Sequence, residues 1–277
     1  MLDVDKAWDK LHARLVEEQL LEPKNAKRIG TPFITKMKWA AAIIVLCICG
    51  GAAYLYLFPE KETRQLFTLH NNEAFNILVS TLNDGSIVYL AGGATLTCPE
   101  RFATNRRQVS LQGEALFDVH SDRDCPFLIE TEPVVVEVLG TAFNIKTESG
   151  ESFELAVQRG LVKVTVKATG AQTLVEAGEK VQLGANSQLV KEQSSERQEF
   201  ARYTEKMRFK DERLENIVHV INKISDKPIV FSDNALKDME MTITFSNNTV
   251  GEMVELLCEG MDLTYTDDGE EIVIGFR

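Results

Sequence analysis

The chain has 277 residues, a length that suggests about two domains. Hydrophobic residues make up 44%, charged residues 26% and aromatics 8%, which is a globular composition and argues against a disordered or low-complexity chain. The net charge of -12 argues against a nucleic-acid-binding surface, which needs Lys and Arg clustered against phosphate.

The first predicted element is an amphipathic helix over Asp3 to Leu21, because Val4, Trp8, Leu11 and Leu15 recur at spacings of 4, 3 and 4. Residues 1–38 are too few to bury their own core. The stripe of Trp8, Leu11 and Leu15 is therefore expected to meet a membrane surface, another copy or a cytoplasmic partner. Residues 39–58 (WAAAIIVLCICGGAAYLYLF) carry no charge and end at Pro59. At about 1.5 Å per residue they match the hydrocarbon core of a bilayer, so a transmembrane helix is predicted there. Lys24, Lys27, Arg28, Lys36 and Lys38 precede it, which predicts a cytoplasmic N-terminus and an exported C-terminus. The expected localisation is the inner membrane, single-pass, with the C-terminus periplasmic.

From Leu66 to Val190 the period changes to two. Phe75, Ile77 and Val79 alternate, as do Val109 and Leu111, then Ala115, Phe117 and Val119, then Val162, Val164 and Val166. This predicts strands with one buried face. Turn signals at Asp84-Gly85, Gly92-Gly93, Gly113, Gly140, Gly160, Gly170, Gly178 and Gly184 separate them, so residues 59–192 are expected to form an all-β domain, a sandwich or a solenoid-like roll. Pro126–Ile129 and Val134–Leu139 are continuous apolar runs and read as central strands buried on both sides.

Residues 193–204 are polar and read as a linker or a short connecting helix. Residues 205–277 alternate strand and helix patterns. Strands are predicted at Met207–Phe209, Ile229–Phe231, Met241–Phe245, Leu263–Tyr265 and Ile272–Ile274. Helices are marked by Leu214, Ile217, Val218, Ile221 and Ile224, and by Val250, Met253, Val254 and Leu257. This is a small α+β domain of two βαβ units, with sheet edges available to a partner strand. The expected fold class is thus a single-pass membrane protein with an all-β exported domain and a small α+β domain.

The sequence offers no catalytic set. Five Cys show no CxxC spacing, and His12, His70, His120 and His219 form no HxxH or HExxH, so no metal or cofactor is expected. Glu114, Asp118, Asp122 and Asp124 read as solvated or turn-bound acids, and His120 as a surface histidine. A Cys98–Cys125 disulfide is one conceivable pairing among the exported cysteines.

In order along the chain, LNDGSIVYLAGGATL (residues 82–96), RQVSLQGEALFDV (107–119), PFLIET (126–131) and VEVLGTAFNI (136–145) resemble the FecR family of anti-sigma factors. MRFKDERLENIVHVINKIS (207–225) and ITFSNNTVGEMVELLCEGMDLTY (243–265) resemble that family's C-terminal domain, and VDKAWDKLHARL (4–15) resembles the segment before its membrane span. The resemblance implies a transmembrane regulator that is not an enzyme. Its partners would be an extracytoplasmic-function sigma factor, held through Trp8, Leu11 and Leu15, and the periplasmic signalling domain of a TonB-dependent outer-membrane transporter. Some members self-cleave between Gly and Thr, and Gly140-Thr141 matches that junction. The other reading of Gly140-Thr141 is a tight turn between strands. The alternative function is a membrane-tethered envelope binding or scaffold protein without sigma-factor activity.

Overall fold

The computed structural model describes residues 9, 10, 13, 14, 65–147, 152–184, 186–194 and 197–277. The chain divides into two units, Met1–Glu62 and Thr63–Arg277. In the first unit Asp9, Lys10, Ala13 and Arg14 are helical and exposed. The predicted partner-binding residues Trp8, Leu11 and Leu15, and the predicted span 39–58, lie outside the described residues.

The second unit begins with fourteen described strands: β1 (Leu66–His70), β2 (Ile77–Thr81), β3 (Ile87–Leu90), β4 (Thr95–Pro99), β5 (Arg107–Gln112), β6 (Glu114–Asp118), β7 (Phe127–Glu130), β8 (Val134–Val138), β9 (Ala142–Thr147), β10 (Phe153–Arg159), β11 (Leu161–Val166), β12 (Gln172–Glu176), β13 (Glu179–Leu183) and β14 (Leu189–Gln193). Then come α1 (Arg197–Glu205), β15 (Lys206–Arg213), α2 (Leu214–Asn222), β16 (Ile229–Phe231), β17 (Glu240–Ser246), α3 (Val250–Gly260), β18 (Leu263–Asp267) and β19 (Ile272–Phe276).

Two sheets face each other. A seven-stranded sheet runs β1-β4-β5-β7-β8-β11-β12, and a nine-stranded sheet runs β14-β13-β10-β9-β6-β3-β2-β15-β17. Between them lies a core made only of strand residues and their flanks, with Phe117, Phe127, Phe143, Leu96, Leu111, Ile129 and Ile145 fully buried. Phe117 and Phe143 pair in register across β6 and β9 and stack at 5.5 Å, while Phe127 of the opposite sheet tilts onto Phe117 at 6.4 Å. The all-β part is thus a two-sheet sandwich.

The nine-stranded sheet is also covered on its other face. Val79, Ile87, Tyr89, Leu116 and Ala156 point away from the sandwich and join a second core with Phe200 and Tyr203 of α1, Leu214, Ile217 and Ile221 of α2, and Met253, Val254 and Leu257 of α3. A three-stranded sheet, β16-β19-β18, closes that core with Ile229, Leu263, Ile272 and Ile274. The helices form for legible reasons. The buried stripe of α2 is Leu214, Ile217, Val218 and Ile221. A capping box opens α3: Thr249 Oγ1 accepts from Glu252 N at 3.3 Å, and Glu252 Oε2 accepts from Thr249 N at 2.8 Å.

The joint between the two parts is a strand pair. β15 lies parallel to β2, with Met207 opposite Ile77 and Arg208 opposite Leu78, and antiparallel to β17 on its far side. The sheet therefore continues from the sandwich into the C-terminal part without a break.

Two expectations are corrected, and one open pairing is decided. Among the described residues no helix is long and apolar enough to cross a membrane. The longest described, α3, has 11 residues, about half the reach that a bilayer core demands. The single-pass fold class, the transmembrane part of the function, and the inner-membrane localisation with its opposed ends find no support in the structure and are withdrawn in favour of a β-rich fold with added helices. The runs at Pro126–Ile129 and Val134–Leu139 are not buried on both sides, since β7 and β8 alternate buried and half-buried residues. Burial on both faces falls instead in the nine-stranded sheet, as in β3 (Ile87–Leu90), where every residue is buried. Cys98 and Cys125 are free thiols rather than a disulfide.

Candidate functional site

Three polar constructions stand out against this apolar frame. The first ties the ends of three strands together. Arg107 opens β5 in phase with Val109 and Leu111, so its side chain enters the sandwich and is 3% exposed. Its Nη1 donates to Asp84 Oδ2 at 2.8 Å and to the His120 carbonyl at 2.9 Å, and its Nε donates to the Cys125 carbonyl at 3.0 Å. The guanidinium lies over the Phe127 ring at 5.3 Å. Asp84 also accepts from the Ser86 hydroxyl at 2.7 Å, and the Ser86 Oγ in turn accepts from His120 N at 3.0 Å. Burial and the nearby Asp84 carboxylate push the thiol of Cys98 up to about 12, so it stays protonated and inert. The LNDGS motif is therefore an anchor point of the sandwich.

The second construction seats α1 on the nine-stranded sheet. Tyr203 is fully buried, and its hydroxyl donates toward Glu114 Oε1 at 2.7 Å and Asn144 Oδ1 at 3.1 Å. Arg202 pairs with Glu114, donates to the Tyr203 hydroxyl at 3.1 Å and lies over the Tyr203 ring at 4.9 Å. Glu114 comes from the GEALFDV stretch and Asn144 from LGTAFNI. Residues thirty apart in sequence thus meet on neighbouring strands to receive one helix. Nearby, Asp118 accepts from Arg159 at 2.7 Å and pairs with Lys223, just beyond α2, at 3.3 Å. Of the four acids read as solvated or turn-bound, Asp122 is turn-bound, accepting from Asp124 N and Cys125 N. Glu114 and Asp118 instead hold the C-terminal part.

The third construction is the predicted Gly140-Thr141 junction, where the chain leaves β8 of one sheet for β9 of the other. Thr141 is 2% exposed, and its Oγ1 has no hydrogen-bond partner among the described residues. The neighbouring backbone is held firmly. Asp122 N donates to the Leu139 carbonyl at 2.8 Å, and Val119 N donates to the Thr141 carbonyl at 2.9 Å. A Cβ at position 140 would lie 2.6 Å from Ser121 Cα, so only glycine fits. Gly140 and Thr141 border a shallow cavity of about 240 Å³ with Leu139, Leu161, Leu174 and the Glu137–Lys163 ion pair (2.5 Å).

Sequence reasoning missed Arg107, Asn144 and Tyr203. A charged residue in phase with buried Val109 and Leu111 was the available sign for Arg107. For Tyr203 it was the three-residue spacing from Phe200 in an otherwise polar stretch.

Comparison with known proteins finds two family models on the chain: "FecR protein" over residues 73–163 and "FecR, C-terminal" over residues 206–274. Two crystal structures of a candidate anti-sigma factor from Parabacteroides distasonis ATCC 8503, at 2.50 and 1.65 Å resolution, are similar at 22% identity. The matches cover 77% and 76% of this chain and 100% and 99% of those chains, with TM-scores of 0.48 and 0.47. No curated protein matches.

Proposed function

Because the chain belongs to the FecR family, we propose that it is a signalling protein of the anti-sigma-factor type, with a sigma factor as its partner. The observation that carries this reading is the order and extent of the two family matches, which together take in most of both cores and the strand pair β2–β15 that joins them. The partner-facing residues are Trp8, Leu11 and Leu15 of the amphipathic arm. The incoming signal is a protein contact from the signalling domain of a TonB-dependent transporter. Support comes from the end of the nine-stranded sheet, where β17 has no further strand beside it among the described residues. Its residues alternate exposed with half-buried ones up to the buried Phe245, a form suited to strand addition.

The test is a pull-down of the full chain against the extracytoplasmic-function sigma factors of its own genome. One of them binds, and Trp8→Ala weakens that binding by about 2 kcal/mol, as truncation of a central aromatic anchor does. Absence of binding to every one of them would overturn the reading.

A second reading is favoured by the unpartnered Thr141 hydroxyl: self-processing at Gly140-Thr141. The Thr141 Oγ attacks the Gly140 carbonyl carbon, the C–N bond breaks, and the hydroxyl proton passes to the released amine, leaving an ester. Water then hydrolyses the ester to a Gly140 carboxylate and restores the Thr141 hydroxyl. Intact-mass measurement of the purified chain finds two fragments divided there, and Thr141→Ala gives one.

A further inference from the structure

Resting on the self-processing reading, we propose that Gly160 is a positioning residue for the acyl shift. Two corners of the sandwich stack side by side. β8 pairs with β11 in the seven-stranded sheet, and β9 pairs with β10 in the nine-stranded sheet. The chain changes sheets at residues 139–141 on the way from β8 to β9, and at Gly160 on the way from β10 to β11. Gly160 has φ +92, a conformation that disfavours any other residue, and its bare Cα lets the second corner close on the first. A Cβ there would lie 2.6 Å from Thr141 Cγ2, 3.2 Å from Thr141 Cβ and 3.3 Å from the Gly140 carbonyl oxygen.

The consequence for Thr141 is steric. A β-branched side chain has few χ1 wells, and exchanging them swaps the methyl with the hydroxyl. Gly160 leaves a seat for the methyl at its present position. Ser121 packs closely against Gly140 and fixes the corner there. With the methyl seated, Oγ1 is held in one orientation, and no hydrogen bond to another acceptor draws it elsewhere. On this proposal the seated rotamer is the attacking one, and the attack needs no rotamer search, which is the geometric condition for a fast intramolecular step.

The test is a four-protein cycle in the full chain: wild type, Gly160→Ala, Thr141→Ser, and the double variant. Fragment formation is followed by intact mass, and folding by thermal melting. Serine keeps the nucleophile and lacks the methyl that an alanine at 160 would strike. Gly160→Ala is expected to slow cleavage on the order of tenfold or more. Thr141→Ser cleaves, and the double variant returns to the rate of Thr141→Ser alone. Backbone strain at position 160 by itself would slow both members equally, so a double variant as slow as Gly160→Ala overturns the proposal. Wild-type cleavage in folded Gly160→Ala also overturns it. If Gly160→Ala does not fold, the comparison of the double variant with Thr141→Ser decides. A wild type and a Thr141→Ser that both stay whole overturn the self-processing reading itself, and the positioning role with it.

Discussion

The two faces of the nine-stranded sheet are built differently. The inner face meets another sheet, and its body is apolar strand against apolar strand, Leu78, Val88, Leu90, Phe117, Phe143 and Ile145 against Leu96, Leu111, Phe127, Ile129 and Val136, with the buried Arg107–Asp84 pair beside Phe127. The outer face meets helices. Its apolar residues are Val79, Ile87, Tyr89, Leu116 and Ala156, and beside them lies a polar set of Glu114, Asn144 and Tyr203. An apolar interface holds by area and tolerates sliding, whereas a buried hydrogen-bonded group is satisfied in one register only. The inner face thus supplies stability, and the outer face also supplies the position at which the C-terminal part sits.

That contrast predicts effects of different size. The largest comes from the polar anchor on the sandwich side. Asp84→Ala leaves the Arg107 guanidinium buried without its counter-charge, which costs about 3–5 kcal/mol in urea denaturation. Replacing both residues by leucine recovers part of that loss, because no unpaired charge remains. A smaller effect comes from the outer face. Tyr203→Phe keeps the ring and removes the hydroxyl, costing about 1–2 kcal/mol. Amide exchange should accelerate in α1 and α2 and stay unchanged in β7 and β8; acceleration in both would erase the distinction between the faces.

The smallest effect is a pH dependence at the strand joint. Glu212 sits just after a register shift in β15, and burial raises its pKa above the ordinary 4.5 despite hydrogen bonds from Asn216, Ser80 and the backbone. The folded chain therefore holds this proton more tightly than the unfolded chain does. Its contribution is full below the ordinary carboxylate range and is lost as pH rises through the folded value. Between about pH 4 and pH 7 the denaturation midpoint of the wild type should fall relative to that of Glu212→Gln; parallel curves would show that Glu212 is not the group responsible.

The inner face was legible in the sequence because one period encodes it. Val109 and Leu111, Ala115, Phe117 and Val119, and Val162, Val164 and Val166 all lie inside as the alternation predicts. The same rule misplaces what depends on a distant element. Leu128 and Val135 continue apolar runs, yet they face outward on the seven-stranded sheet and are half-buried. Phe75, in phase with Ile77, precedes the strand and is 85% exposed. Ile87 and Tyr89 are buried by helices that arrive more than a hundred residues later, and no local period reports that. At the candidate site, the glycine and threonine of the junction were visible as residue types. The partner corner at Gly160 was not, since strand pairing alone brings it there.

The parallel pairing of β2 with β15 bears on how such chains can recombine. A chimera that joins the N-terminal half of one relative to the C-terminal half of another must reproduce the match of Met207 to Ile77 and seat a foreign helix on Glu114 and Asn144. Swaps that break at the polar stretch before α1 cut through neither core, yet they separate both halves of that fit. Under the proposed strand addition at β17, a change of partner is therefore expected to proceed by substitutions on the rim of that strand rather than by wholesale transplantation of the C-terminal half.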